Sequence, residues 1–322
     1  MLRDFTIAYA RKNVKMRSVR RLSFQRQSVA YVLSIAARKI PHAAGNVEFD
    51  VTPVIEYGEK VIREMKASGV KHSAEDVTRM AVHKNLSAFY LKTIAHVMHH
   101  VPVMNSLLEW TPWRNGGIFY ECEDIRPAFT VHTKQGVMTP LIADPHKKTL
   151  VEVANEMRVL TRKARRTDMN ELYRRLAWEY LGFAIRELDL SSLLAGWMWL
   201  RSTLWPEPIE EALRNVPEED KLRPCDVIGS TCTIANIGMA VDGWQTLTVI
   251  PPPSTFMWGI GLTRPLPRVV NGQVVPRQIV TMAVTFDHRA MDGGDFFEFV
   301  EIMKDYFDHP ERIFDWKPGD PI

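Results

Sequence analysis

The stretch TFDHRAMDGGDFF, residues 285–297, gathers the side chains best able to do chemistry. Asp287, His288 and Arg289 are adjacent, Asp292 follows four residues after the histidine, and Gly293 and Gly294 come next. Imidazole titrates nearest neutrality of all side chains, so His288 can take up and return a proton at pH 7. Two readings fit the spacing. In one, His288 is a general acid and base. In the other, the histidine is structural and Asp292 is the N-cap of the next helix. In both, the glycines let the chain turn tightly.

That cluster closes an alternating apolar run, RVVNGQVVPRQIVTMAVTFDH, so His288 is expected at the exit of a strand. Asn271-Gly272 inside the run is a type I′ hairpin signal. GGDFFEFVEIMKDYFDHP predicts an amphipathic helix ended before Pro310. Upstream, STCTIANIGM alternates as a strand, and TLTVIPPPSTFMWGIGLT reads as two short strands around a proline turn. Residues 22–40 predict a helix with Leu22, Val29, Val32, Leu33 and Ile35 on one face. VEFDV then alternates like a strand, and VTRMAVHKNLSAFYLKTIAHVMHHV has the broad apolar face of a buried helix. FTVHTKQGVMTPLI reads as strand, turn and strand, and TLVEVANEMRVLTRKARR as a helix with a basic C-terminal end suited to its dipole. Helices and strands mix without regular βαβ alternation. The fold class expected is therefore α/β in the α+β sense: a two-layer sandwich of a mixed sheet covered by helices.

Composition narrows the function classes. The chain has 322 residues, 46% of them apolar, enough for a large core, and a net charge of +3 gives no global support for nucleic-acid binding. Cys122, Cys225 and Cys232 are too few and too scattered for a disulfide framework. With no secretory leader legible at the N-terminus, a cytoplasmic protein is expected. His96, His99 and His100 have helical metal-pair spacing, but no carboxylate or cysteine partner stands out, so no metal is expected. Residues 1–21 form a basic arm. Positions 11–21 hold six basic residues and no acidic one, either a solvated segment or a contact for an acidic partner or anionic membrane. Residues 167–222 are helix-forming and hold four of the nine tryptophans, Trp178, Trp197, Trp199 and Trp205. The apolar run Leu190–Leu200 is too short to span a bilayer. It suits buried helices, or a peripheral membrane or partner contact through 190–205.

TFDHRAMDGG resembles the DHRxxDG signature of the dihydrolipoamide acyltransferase catalytic domains, the E2 components of 2-oxo acid dehydrogenase complexes. That family shares its fold with chloramphenicol acetyltransferase. RQSVAYVLSIAARKIPHAAGNVEFDVTPV, HHVPVMNS, GVMTPLIADPHKKTLVEVANEM, GSTCTIANIGM, IPPPSTFMWGIG and VVPRQIVTMAVTFDHR resemble further family segments in the family's order. The likeness covers about 22–315 apart from 167–222, where the family has only a short link. It implies a catalytic domain over residues 22–322 with a helical insertion at 167–222.

The resemblance implies acyl transfer between two thiols, one of coenzyme A and the other a dihydrolipoyl group. His288 matches the base that deprotonates the attacking thiol, since the thiolate is the nucleophile. Asp292 matches the second acid and is expected to pair with Arg26, holding the catalytic turn. The family's oxyanion hydroxyl is a serine, and here Ala235 stands in its place. Thr233, two residues earlier on the same strand face, is the candidate substitute. A homotrimer or larger trimer-based assembly with sites between subunits is implied. Ahead of residue 22 there is no lipoylatable turn, no subunit-binding domain and no Ala/Pro-rich linker. A lipoyl group, if used, therefore belongs to a separate protein, and an acyl-carrier protein is another acceptor. The missing serine also leaves open a catalytically weak or inactive scaffold subunit of a multienzyme complex.

Overall fold

The computed structural model describes residues 5–20, 22–67, 86–111, 116–186, 210–236 and 248–322. The expected contact through 190–205 lies outside these residues. Five strands make the main sheet, in the order β1 (His42–Asp50), β9 (Gln273–Asp287), β8 (Phe256–Val270), β7 (Cys232–Asn236) and β4 (Pro127–Phe129). The β1/β9 and β9/β8 pairs are antiparallel, and β8/β7 and β7/β4 are parallel. Two ribbons stand beside it, β2 (Ser106–Thr111) with β3 (Gly116–Glu121) and β5 (Val131–Thr133) with β6 (Gly136–Met138).

The β8–β9 hairpin is the backbone of the molecule. Asn271 and Gly272 turn it with φ of 50° and 78°, the left-handed pair that a type I′ turn demands. Register then places Phe256 opposite Phe286, Trp258 opposite Val284 and Ile260 opposite Met282. All six lie in one buried cluster, so period-two alternation assigns them to one sheet face. Of the expected strand before the prolines, only Thr248–Ile250 lie among the described residues. These three carry no ladder, and the second strand is extended to 15 residues. Pro251, Pro252 and Pro253 lack the N–H groups a ladder needs.

That sheet face is covered by α3 (Thr52–Ala67), α4 (Leu86–His100), α7 (Gly293–Asp308) and the short α8 (Glu311–Phe314). Helix α4 is buried continuously from Ala88 to Met98, Lys92 and His96 included, because it lies between sheet and outer helices. Helix α5 (Leu150–Arg166) packs against α4 and opens with a capping box: Thr149 Oγ1 accepts from Glu152 N at 3.3 Å, and Glu152 Oε2 accepts from Thr149 N at 2.7 Å. Helix α6 (Met169–Arg186) follows, tied down by Lys221 and Arg175 to Glu171 and Glu218.

The opposite sheet face is covered far less. Helix α1 (Phe5–Asn13) lies in the basic arm, where Ile7 and Tyr9 are exposed. Helix α2 (Phe24–Lys39) meets that face only through Ala36 and Ile40, packed with Ile250 and Met257. The expected apolar stripe of α2 is covered only in part, with Val29, Val32 and Ile35 half-buried. Leu22 and Leu33 are exposed, and Gln25, Ser28 and Ala36 are buried. Among the described residues, no helix is long and apolar enough to cross a membrane.

Candidate functional site

The C-terminal end of β9 delivers the candidate cluster. Asp287 is its last residue and is 1% exposed. Its backbone N–H donates to Thr255 O at 2.8 Å, and its carbonyl accepts from Ala290 N at 2.9 Å and Met291 N at 3.3 Å, closing a turn. Its carboxylate is saturated by Arg289: the backbone N–H at 3.0 Å, Nε at 2.9 Å and Nη2 at 2.6 Å. The Arg289 guanidinium also lies over the Trp110 ring, 5.4 Å from its centroid. A buried charge needs such a partner, and the fork of Arg supplies two parallel bonds.

His288 therefore stands on a fixed platform. Its backbone N–H donates to Pro41 O at 3.1 Å, tying the turn to the entrance of β1, and its ring meets Phe286 edge-on at 5.8 Å. The side chain itself is 55% exposed, and Nδ1 lies 3.4 Å from Asp292 Oδ1. With Nδ1 facing the carboxylate, Nε2 is the nitrogen left for a substrate proton.

The expected Asp292–Arg26 pair is not made within the chain. Asp292 is 86% exposed and faces His288, while Arg26 is exposed and its described bond is from its backbone N–H to Ser23 Oγ at 3.3 Å. Sequence spacing alone could not reveal where the start of α2 lies relative to the turn. Asp292 is the N-cap residue of α7, and its backbone N–H donates to Asp295 Oδ2 at 3.0 Å. Gly293 does not serve as a left-handed hinge. It is the first helical residue and lies outside the positive-φ glycines, because the turn is already made by Asp287–Asp292.

Thr233 and Ala235 do share one face of β7, with Cys232 and Ile234 turned to the core. Both are buried, at 5% and 8%. The Thr233 hydroxyl makes no hydrogen bond among the described contacts. Neither residue reaches His288. Ala235 is in register with Gly259, and Gly259 with Ala283, five residues before the histidine. At about 3.3 Å per residue and 4.8 Å per strand, Ala235 lies roughly 19 Å and Thr233 roughly 14 Å from His288. Within one chain the His288 side chain is open to solvent, 55% exposed.

The helical histidines belong to a different region. His96 is wholly buried with neither ring nitrogen hydrogen-bonded, and His99 stacks on His146 at 5.3 Å. Burial holds His96 down to about 2 and His146 to about 4, so both are neutral at pH 7. Among the described residues, no three His, Cys, Asp or Glu side chains converge as a metal would need. Sequence spacing missed the Asp287–Arg289 pair and the Pro41 tether. The adjacency of Asp287 and Arg289 was the available signal for the pair.

Residues 13–172 and 209–314 match the model of the family described as 2-oxoacid dehydrogenases acyltransferase (catalytic domain). Unmatched residues 173–208 fall within the expected insertion. The chain is 23% identical over 305 residues to the dihydrolipoyllysine-residue acetyltransferase component of the pyruvate dehydrogenase complex of Rickettsia typhi, covering 94% of this chain and 57% of that protein. It is 24% identical over 243 residues to the probable dihydrolipoyllysine-residue succinyltransferase component of the mitochondrial 2-oxoglutarate dehydrogenase complex of Schizosaccharomyces pombe, covering 76% and 41%. It thus spans about half the length of these relatives. Its fold is that of the cubic core of the pyruvate dehydrogenase multienzyme complex, with TM-score 0.63, 19% identity and 96% of each chain covered. The Azotobacter vinelandii dihydrolipoamide acetyltransferase superposes equally, with TM-score 0.64, 19% identity and 96% of each covered. The structural study of that enzyme addresses a catalytic serine, a histidine and an asparagine four residues after the histidine.

Proposed function

The chain belongs to the 2-oxoacid dehydrogenase acyltransferase family as its catalytic domain, and from this we propose that it moves an acyl group between coenzyme A and a second thiol with His288 as general base. The observation that carries the reading is His288 itself: an imidazole on a rigid buried platform, Nδ1 toward Asp292, Nε2 free. Nε2 takes the proton of the attacking thiol as its sulfur bonds to the thioester carbonyl. The tetrahedral intermediate then collapses, the carbon–sulfur bond to the leaving thiol breaks, and the same proton returns to that sulfur. The Azotobacter enzyme's histidine-plus-four spacing supports the roles of His288 and Asp292. We assign Arg26 no direct part in the turn. Gly293 supports the site by leaving room at the helix start.

Coenzyme A is the proposed acyl carrier and a dihydrolipoyl group on a separate protein the proposed acceptor, as the names of the relatives suggest. We further propose a trimer-based assembly in which β7 of one copy faces His288 of the next. The separation of Thr233 and Ala235 from His288 within one chain supports this, as does the partly covered stripe of α2. Cytoplasmic residence suits the three free cysteines. Incubating the protein with acyl-CoA and dihydrolipoamide should give acyl exchange that His288→Ala abolishes; exchange indifferent to that change rejects the assignment. A scaffold role is the second reading, favoured by Ala235 alone, since loss of one oxyanion donor costs roughly 10²–10³ in turnover. Absence of calorimetric coenzyme A binding would select it.

A further inference from the structure

Arg289 does not hold Asp287 unaided. Its guanidinium lies over the Trp110 ring, 5.4 Å from the centroid, within reach of a cation–π contact. Trp110 is near the end of β2, and its cross-strand partner in β3 is Gly117. A side chain on Gly117 would begin 2.9 Å from Trp110 Cε3 and 3.1 Å from Cζ3, so the indole lies across the bare backbone of the neighbouring strand. Gly117 is not one of the positive-φ glycines, and what it supplies is room for the ring.

The other end of β2 bears on Asp287. Ser106 Oγ lies at hydrogen-bond distance, 2.7 Å, from Thr255 Oγ1, and both residues are wholly buried. Thr255 O in turn accepts the Asp287 N–H at 2.8 Å. One strand therefore supports both residues that flank His288, Asp287 through Thr255 and Arg289 through Trp110. The Arg289 side chain is only 18% exposed. Without the indole, water would reach the guanidinium face and compete with its fork on the carboxylate. A small drift of the base between them costs rate well before it costs the fold.

We propose that Trp110 is a positioning residue for acyl transfer: its ring holds the Arg289 fork on Asp287 and so keeps His288 aimed at the attacking thiol. This rests on the acyl-transfer reading and adds a residue to it. Trp110 acts through Arg289 and does not contact the thioester.

The Arg289 Nε–H, which donates to Asp287 Oδ1 at 2.9 Å, reads the clamp without catalysis. Its exchange with solvent is followed by NMR in the full chain, the signal being identified by its loss in Arg289→Lys. Exchange should quicken about tenfold in Trp110→Leu, and equally in Gly117→Ala, whose methyl dislodges the ring; Trp110→Phe, which keeps a π face, should stay within about twofold of the parent. Transfer from acyl-CoA to dihydrolipoamide should lose about tenfold in kcat in Trp110→Leu and Gly117→Ala, with KM unchanged. A ring that merely packed the ribbon would be replaced by Leu as well as by Phe. Added to Arg289→Lys, Trp110→Leu should cost no further rate. Trp110 is 48% exposed and Gly117 is exposed, so these variants should fold, which thermal melting checks. Unchanged exchange or unchanged kcat in Trp110→Leu, a raised KM with kcat intact, or additive losses in the double variant each overturns the proposal. Quickened exchange in a protein whose parent shows no His288-dependent transfer rejects the acyltransferase reading and leaves the hold on Arg289 standing, whereas His288-dependent transfer with unchanged exchange does the reverse.

Discussion

Asp287 and Arg289 bind each other across the histidine that separates them, the buried carboxylate taking three N–H bonds from a residue only two positions away. The turn carrying His288 is thus clamped from both flanks by its own neighbours. Arg289→Gln should cost about 3–5 kcal/mol, because it strands a buried carboxylate with little more than a backbone N–H. Urea unfolding measures this. A loss below 1 kcal/mol would mean that the backbone bond alone satisfies Asp287.

Asp292 should behave in the opposite way. Its side chain is 86% exposed and its described partner is His288. Asp292→Ala should leave stability within about 0.5 kcal/mol of the parent, the usual range for surface changes, while lowering the acyl-transfer rate. Arg26→Ala should leave stability equally untouched. A large loss of stability for either variant in the assembled protein would revive a pairing between them across copies.

The contrast between these two acids marks where sequence reading stops. The hairpin at Asn271-Gly272, the helix within TLVEVANEMRVLTRKARR and the strand running into His288 were all legible, because turn chemistry and hydrophobic periodicity act over a few residues. The partner of Asp292 depends on where α2 passes in space, and no local pattern carries that. The α2 stripe misled in part for a related reason. Spacing marks which residues could be covered, and Leu33 is exposed. The face shared by Thr233 and Ala235 followed from strand period alone, but their distance from His288 needed the strand order.

Acid should destabilise the protein through its inner histidines. Desolvation holds His96 at about 2 and His146 at about 4, below the ordinary 6.5. As pH falls below 6.5 the unfolded chain binds protons at both sites and the folded chain does not, so stability falls with pH. The slope approaches about 1.4 kcal/mol per pH unit for each histidine, with His146 ceasing to contribute near its folded value. His96→Phe should reduce that slope, since neither ring nitrogen loses a partner. Comparing urea midpoints at pH 7 and pH 5 checks it; equal slopes in parent and variant would refute the assignment.

Lys92 should act above neutrality. It is fully buried, donates from Nζ to Lys148 O at 2.7 Å and lies 3.9 Å from the Trp316 ring centroid, and burial lowers it from 10.5 to about 7. Between those values the unfolded chain carries the proton and the folded chain does not. Stability should therefore rise from about pH 7 toward 10. Lys92→Met keeps the stem and removes the titration, so its stability should be flatter across this interval. A parent profile without the rise would show the ammonium to be retained.

The oxyanion donor gives the sharpest test of the site. Ala235 and Thr233 lie on the same face of β7, two residues and so roughly 6–7 Å apart. If the site keeps the position that Ala235 fills, Ala235→Ser should raise acyl transfer by tenfold or more, toward the roughly 10²–10³ that one donor is worth. Ala235 is in register with Gly259. If Thr233 has taken over, Ala235→Ser should do little and Thr233→Val should slow transfer. That substitution keeps the side-chain shape, and the hydroxyl has no described hydrogen bond to lose, so folding should be unaffected. Takeover is the outcome we expect, because Thr233 is the hydroxyl this face already presents, although the bound thioester must then shift along the strand. Rates for each variant, taken with the same acyl-CoA and dihydrolipoamide, separate the cases. No change in either variant would place the donor outside β7.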